Sequence, residues 1–352
     1  TQIPNCAVHM PEAKAGKTSK AAKPKWPDIG HVHDITLGGD GALLTKGELD
    51  ELKALVLKHH ELWNRETSKT PSAHGVVCDI ALTGEPKMKA RSTNTNPAAR
   101  KEVARLVQEQ KDKGIIVDSC SPYSSTVLLV PKAGGGTRFC VDFRALNKIV
   151  RRDAYPLPRV EDSLAALQGM KYFSSIDIVT AFWQVPLSER SRQLTAFATP
   201  DGLYEYLRMP MGLCTASGVF AKFIDEVLAG LKWHCVLTYI DDCLIYSKTF
   251  SAHLTALEAV FSRLEGYGLT LGAKKTFLAA PSVRFLGHVI DSKGIHPDPA
   301  KIKAIKALTM PLDKKHLRST LGIFGYYRRF CKDFSTVAAP LTAALAKDLR
   351  LP

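Results

Sequence analysis

The sequence predicts an α+β protein, from three observations. Helix signals dominate the stretch 45–114. From residue 115 the apolar pattern shifts toward short strands joined by glycine-bearing turns, the mark of hairpins. From Asp298 the chain reads as helical again. Its 352 residues are enough for two or three domains and a sizeable core.

Residues 1–40 are rich in Lys, Ala, Pro and Gly, as in PEAKAGKTSKAAKPKWP, and are expected to form a flexible basic arm or linker. A helical lead-in follows over 41–74. Thr45 and Glu48 form a capping box, Leu44 and Leu49 staple the helix start, and Leu49, Leu52, Leu55 and Val56 make the apolar stripe. A second helix has Asn96 as cap, Pro97 in its first position and Gly114 as its stop. STVLLVPK and TRFCVDF flank the loop AGGG and read as a hairpin. YFSSIDIV, VLTYI and CLIYS read as buried strands, and SVRFLGHVIDSKGI as a hairpin turning at Ser292–Gly294. Helices are expected around VEDSLAAL, ASGVFAKFIDEVLAGL and SAHLTALEAVFSRLEGYG, and Asp298-Pro299 and Asp313 start helices in the tail.

The formal net charge of +14 points to a polyanionic partner, nucleic acid before membrane. Residues 293–332 hold ten Lys or Arg against two acids, Asp298 and Asp313, both at helix starts. Such a tail suits a phosphate backbone; a solvated basic face is the plain alternative. No apolar run approaches the roughly 18 residues of a membrane span, and no signal peptide is visible. The eight cysteines are scattered singly, which fits a reducing, intracellular setting and argues against a zinc or disulfide framework. His31, His33, His59 and His60 have no partners at metal-site spacing. Thr1 in first place suggests a processed product.

TYIDDCLIY holds Asp241 and Asp242 between apolar runs where a tight hairpin would turn. Two-residue turns favour Asn-Gly or Asp-Gly, so Asp-Asp is a poor choice on turn grounds. Two carboxylates about 4 Å apart repel by roughly 4 kcal/mol at an effective dielectric near 20, and a cation reverses that cost. Carboxylate oxygens suit Mg²⁺. Asp177, inside FSSIDIVTAFW, is a third carboxylate in an apolar strand, where it needs an ionic partner or a metal. If that strand and the hairpin are neighbours in one sheet, three carboxylates meet at one edge, the layout for two-metal phosphoryl or nucleotidyl transfer.

In order, the chain shows SPYSSTVLLVPK, RFCVDFRALNKIVRRDAYPLPRVEDSL, YFSSIDIVTAFWQVPL, TAFATPDGLYEYLRMPMGL, YIDDCLIYSK, FLGHVIDSKGI and LGIFGYYRRFCKDFSTVAAPLTAAL. This series resembles the reverse transcriptases of gypsy-type LTR retrotransposons, relatives of the retroviral enzymes, over about 43–347. The resemblance implies a right-hand polymerase fold with an antiparallel palm sheet. Fingers would span 75–152 and 185–210, palm 153–184 and 211–291, and thumb with the start of a connection 292–352. It implies catalytic and metal-binding roles for Asp177, Asp241 and Asp242, with Asp242 auxiliary. Lys132, Arg138, Phe182, Met211 and Gly212 match nucleotide-binding positions, Arg138 gripping the triphosphate and Phe182 excluding a 2′-hydroxyl. Arg144 and Asn147 match template-side positions, and Phe285, Leu286 and Gly287 the primer-grip hairpin. The implied cofactor is Mg²⁺, two ions, with Mn²⁺ as substitute. The implied partners are an RNA/DNA primer–template and dNTPs, within a larger polyprotein or nucleoprotein assembly, in a cytoplasmic particle or the nucleus.

The chain departs from the family pattern at two places. Thr215, Ser217 and Ala221 stand where the family has Asn, Pro and Gln, and Ala133–Thr137 replaces a more basic fingers loop. No protease, zinc-knuckle or integrase pattern is found, and the chain ends where a ribonuclease H region is expected. The runner-up expectation is a retroelement-derived, non-catalytic nucleic-acid-binding or structural subunit. An RNA-dependent RNA polymerase palm fits less well, given Phe182 and the FLGH hairpin.

Overall fold

The structure, a computed structural model, describes residues 30–39, 44–63, 72–89, 96–131 and 135–346. The expected arm before Gly30 and the nucleotide-binding expectation for Lys132 lie outside the described residues. The stretch 30–39, expected as part of the arm, is folded: Val32 and Ile35 are buried.

The central sheet has the order β1 (Thr36–Leu37), β10 (Phe277–Ala280), β5 (Tyr172–Asp177), β9 (Asp242–Ser247) and β8 (Val236–Tyr239). All neighbours run antiparallel except β1 and β10. Strands β5 and β9 read as apolar runs because both faces of the sheet are covered. On one face Ile176, Cys243 and Ile245 pack with α6 (Ala216–Val227) and α7 (Phe250–Gly266), through Phe220, Ile224, Leu257 and Phe261. On the other, Phe173, Leu244 and Tyr246 pack with Leu164 of α4 (Val160–Ala166) and with a small sheet. That sheet is the meander β11 (Ser282–Phe285), β12 (His288–Asp291) and β13 (Gly294–Pro297). Side chains alternate along a strand, so Asp177 and Asp242 share this second face.

A second five-stranded sheet runs β2 (Ile116–Asp118), β7 (Gly202–Tyr206), β6 (Phe197–Thr199), β3 (Ser125–Pro131) and β4 (Thr137–Asp142). Its strands come from before and after β5 in the chain. Helix α2 (Pro97–Asp112) packs Val103 and Val107 into the same core as Phe197 and Tyr206. Helix α1 (Lys46–Lys58) buries Leu52, Leu55 and Val56. Short helices α3 (Arg144–Asn147) and α5 (Glu189–Arg192) follow β4 and precede β6. The tail holds α8 (Pro299–Lys306), α9 (Lys314–Tyr326) and α10 (Phe334–Ala343). Among the described residues no helix is long and apolar enough to cross a membrane.

The caps stand where the sequence places them. Thr45 and Glu48 complete the capping box, and the Asn96 side chain accepts from the Ala99 amide at 2.7 Å. Asp298 and Asp313 cap α8 and α9. Two turns differ from expectation. Tyr239 pairs with Asp242, so the loop residues are Ile240 and Asp241, and Asp242 already belongs to β9. SVRFLGHVIDSKGI folds into two hairpins, because Phe285 pairs with His288 and turns at Leu286–Gly287 before the expected turn at Ser292. Positive φ at Leu286 hides that turn from a reading based on turn residues.

His253 of α7 is fully buried against β5. The Ala279 amide donates to Ser174 Oγ at 2.8 Å, and Ser174 Oγ and His253 Nε2 share a hydrogen bond of 2.6 Å. Burial lowers the His253 pKa from 6.5 to about 4. The folded pKa lies below the unfolded one, so the unfolded chain binds the proton first as pH falls. Stability is therefore expected to be full above pH 6.5 and to drop by roughly 3 kcal/mol between there and pH 4. Urea midpoints of the parent and His253→Gln across that window check this; equal slopes would refute it.

Candidate active site

Asp177 is the last residue of β5 and lies directly opposite Asp242, the first of β9. Directly opposed residues have Cβ atoms about 4.5–5.5 Å apart on one face. Asp241 precedes Asp242 in the turn, where Ile240 has φ 59°. A β-branched residue there is strained; Gly is the usual choice at that position. The Asp242 carboxyl is held above the ordinary carboxylate value, first by the protein packed around it, then by the charges of Asp241 and Asp177. Lys275 acts the other way.

Lys275 Nζ lies 3.2 Å from Asp177 Oδ1. On the other side Gly272 comes close: its amide donates to the Asp177 carbonyl at 2.8 Å, and a Cβ there would stand 3.0 Å from Asp177 Oδ2. The chain after Asp177 is fixed by Gln184, which is fully buried. Its Nε2 donates to the carbonyls of Val179 at 2.6 Å and Thr270 at 3.1 Å, and its Oε1 accepts from the Thr270 amide at 3.0 Å. This clamp sets the short turn Ala181–Gln184, which carries Phe182.

A cleft of about 750 Å³ joins these parts. Asp177 and Asp241 line it together with Arg138, Phe182 and Met211. Lys275 and the polar face of α2, including Glu102, Arg105, Glu109 and Lys113, complete the wall. The α2 charges are paired among themselves, Arg105 with Glu102 at 2.8 Å and Lys113 with Glu109 at 2.6 Å. The Phe182 ring packs edge-on against Phe220, with centroids 5.9 Å apart.

Other predicted residues, Asp242 among them, are not part of the cleft lining. Asn147 binds the segment behind Met211: its Nδ2 donates to the Gly212 carbonyl at 2.8 Å and its Oδ1 accepts from the Cys214 amide at 2.9 Å. Gly212 has φ 97°, a value that favours glycine, and backs onto Phe143. Arg144 makes a forked ion pair with Asp142, with contacts of 2.9 and 2.6 Å, which holds the Asp142 carboxyl down at about 2. Phe285 is buried in the cluster around Phe173 and anchors its hairpin, whose tip is Leu286–Gly287.

Sequence reasoning missed Lys275, Gly272, Gln184 and the α2 wall. Nothing in GLTLGAKK or in the alternating charges of α2 announces a site; only the fold brings them to Asp177.

The donor set fits a hard divalent cation: Asp177 and Asp242 share one sheet face, and a cation would relieve the repulsion between them. Among the described residues no three His, Cys, Asp or Glu side chains form a ready metal cage, and Lys275 engages Asp177.

Residues 130–290 match the family model described as reverse transcriptase (RNA-dependent DNA polymerase). The Retrovirus-related Pol polyprotein from transposon 297 of Drosophila melanogaster is 34% identical over 314 residues, 88% of this chain and 30% of its own length. The corresponding polyprotein from transposon gypsy of the same fly is 31% identical over 84% of this chain and 29% of its own. The Transposon Tf2-3 polyprotein of Schizosaccharomyces pombe is 32% identical over 81% of this chain and 22% of its own. The chain thus spans about 30% or less of the length of these relatives. Among solved structures, the foamy viral protease-reverse transcriptase with RNA/DNA hybrid has a TM-score of 0.75 at 26% identity, over 86% of this chain and 41% of that one. A form with double-stranded DNA gives 0.78 at 27%, over 86% and 53%. The right-hand α+β polymerase fold follows, and the chain carries a reverse transcriptase domain of the kind found in the Pol polyproteins of gypsy-type LTR retrotransposons.

Proposed function

We propose that this chain is the polymerase core of an RNA-directed DNA polymerase, extending a primer 3′-hydroxyl with dNTPs on a nucleic-acid template. The observation that carries the reading is the register of Asp177 opposite Asp242, with Asp241 in the adjoining turn and in a cleft shared with Arg138 and Phe182. Asp177 and Asp241 are the residues to hold divalent metal, with Asp242 supporting. Reverse transcriptases are in general divalent-metal dependent; bound here, two Mg²⁺ ions would activate the 3′-hydroxyl and neutralise the triphosphate. Arg138 offers a planar fork for phosphate oxygens. Phe182 sets a flat wall under the sugar. In this reading the second sheet with α2 is the fingers, the central sheet the palm, and the helices from residue 299 the thumb, whose lysines and arginines face a duplex.

The test is primer extension on RNA and DNA templates with Mg²⁺, parent beside Asp241→Asn. The parent is expected to extend and the variant to fail. A parent that extends no better than Asp241→Asn would make the chain a nucleic-acid-binding subunit instead. A gentler change probes the geometry. Gly272→Ala must push the Asp177 carboxylate by a few tenths of an ångström. It is expected to lower kcat about tenfold with little change in melting temperature; an unchanged kcat would show that Gly272 does not position Asp177.

A further inference from the structure

The tip of the β11–β12 hairpin is held by the helical tail. Leu286 and Gly287 form its two-residue turn, with φ of 47° and 70°. That pattern normally takes Asn-Gly, and a leucine there is strained unless its surroundings hold it. Both turn carbonyls are held. The Leu286 carbonyl accepts from the Tyr326 hydroxyl at 2.6 Å and from His288 Nδ1 at 2.7 Å. The Gly287 carbonyl accepts from the Tyr327 hydroxyl at 3.1 Å and from the Asp298 amide at 3.3 Å. A Cβ on Gly287 would stand 3.1 Å from the Tyr327 hydroxyl oxygen, and at φ 70° any side chain there is strained, so glycine suits the position. The rings of Tyr326, Tyr327 and Phe330 pack around His288, with centroids 5.4 to 5.6 Å away.

A trans peptide is planar, with its C=O and N–H pointing to opposite sides. The hold of Tyr326 on the Leu286 carbonyl therefore turns the Gly287 N–H away from Tyr326. The tip packs over the face of the central sheet that carries Asp177 and Asp242. Leu286 packs on the same cluster as Tyr239, and Tyr239 is the register partner of Asp242.

We propose that Tyr326 and Tyr327 are positioning residues for the bound strand. Their hydroxyls fix the peptide planes of Leu286 and Gly287, so the seating of the tail sets how this turn meets a nucleic-acid phosphate. The strand itself rests on the polymerase reading above; the fixed turn rests on geometry alone.

Tyr326→Phe, Tyr327→Phe and the double change remove only hydroxyls and keep the rings around His288. Two measurements on the full chain decide the matter: amide hydrogen exchange across residues 284–290, with and without a DNA primer on an RNA template, and single-nucleotide extension. In the double variant the turn amides are expected to exchange about tenfold faster, at an unchanged melting temperature. Extension is expected to lose about tenfold in kcat with KM for dNTP within about twofold, because the nucleotide cleft is untouched. Unchanged exchange overturns the proposal whether or not the parent extends primers. Faster exchange with kcat and KM both at parent values also overturns it. If the parent extends nothing, the polymerase reading fails separately. Protection of the turn amides by the duplex then decides: protection lost in the double variant supports the proposal, and equal protection overturns it.

Discussion

Asp177→Asn is expected to abolish primer extension, with a loss of about a thousandfold or more, while the protein melts at the parent's temperature or slightly above it. The change keeps the shape of the side chain and removes its charge. A carboxylate–metal contact supplies several kcal/mol of transition-state stabilisation, and about 4 kcal/mol is a thousandfold in rate. The fold loses little. The Lys275 partner is 73% exposed, and such surface pairs contribute about 0–1 kcal/mol. The repulsion that Asp242 feels from Asp177 disappears at the same time. Extension assays and thermal melts on the same preparation check both halves. Extension within tenfold of the parent would remove Asp177 from the reaction, and a large fall in melting temperature would make its role structural.

Phe182→Ala is expected to relax sugar discrimination about a hundredfold, by raising kcat/KM for ribonucleotides more than it lowers that for deoxynucleotides. The ring lines the cleft together with Asp177 and Met211 and packs edge-on against Phe220, which braces it against an added hydroxyl. A rigid wall rejects a group by steric clash; alanine leaves space for one oxygen. The side chain is only half-buried, so the stability cost should stay near 1–2 kcal/mol, below that of a full core deletion. The ratio of ribonucleotide to deoxynucleotide incorporation under matched conditions is the readout. An unchanged ratio would assign the ring to the core alone.

The parts of this molecule that were legible in the sequence are those written locally. Thr45 with Glu48, and Asn96 with Pro97, announce helix starts because capping is settled within four residues. The strands around Asp177 and Asp241 were legible because two covered faces force continuous apolar runs. The ordered motifs then identified the aspartates, Arg138 and Phe182, and the fold brings Asp177, Asp241, Arg138 and Phe182 to one cleft. The parts that were not legible depend on distant partners. Lys275 meets Asp177 across 98 positions of chain, and Gln184 meets Thr270 across 86. The turn at Leu286–Gly287 carries no local turn signal, so only the family motif marks a hairpin there: tyrosines 40 positions away hold a leucine where local chemistry would ask for asparagine.

The turn at Ile240 also bears on the order in which the molecule assembles. A β-branched residue at φ 59° costs about 1–3 kcal/mol, so the β8–β9 hairpin gains nothing from its own loop and is a poor nucleus. Its register has to be imposed by β5 on one side and by the clusters closing over both faces of the sheet. Asp241 and Asp242 are therefore expected to settle opposite Asp177 only once that packing has formed.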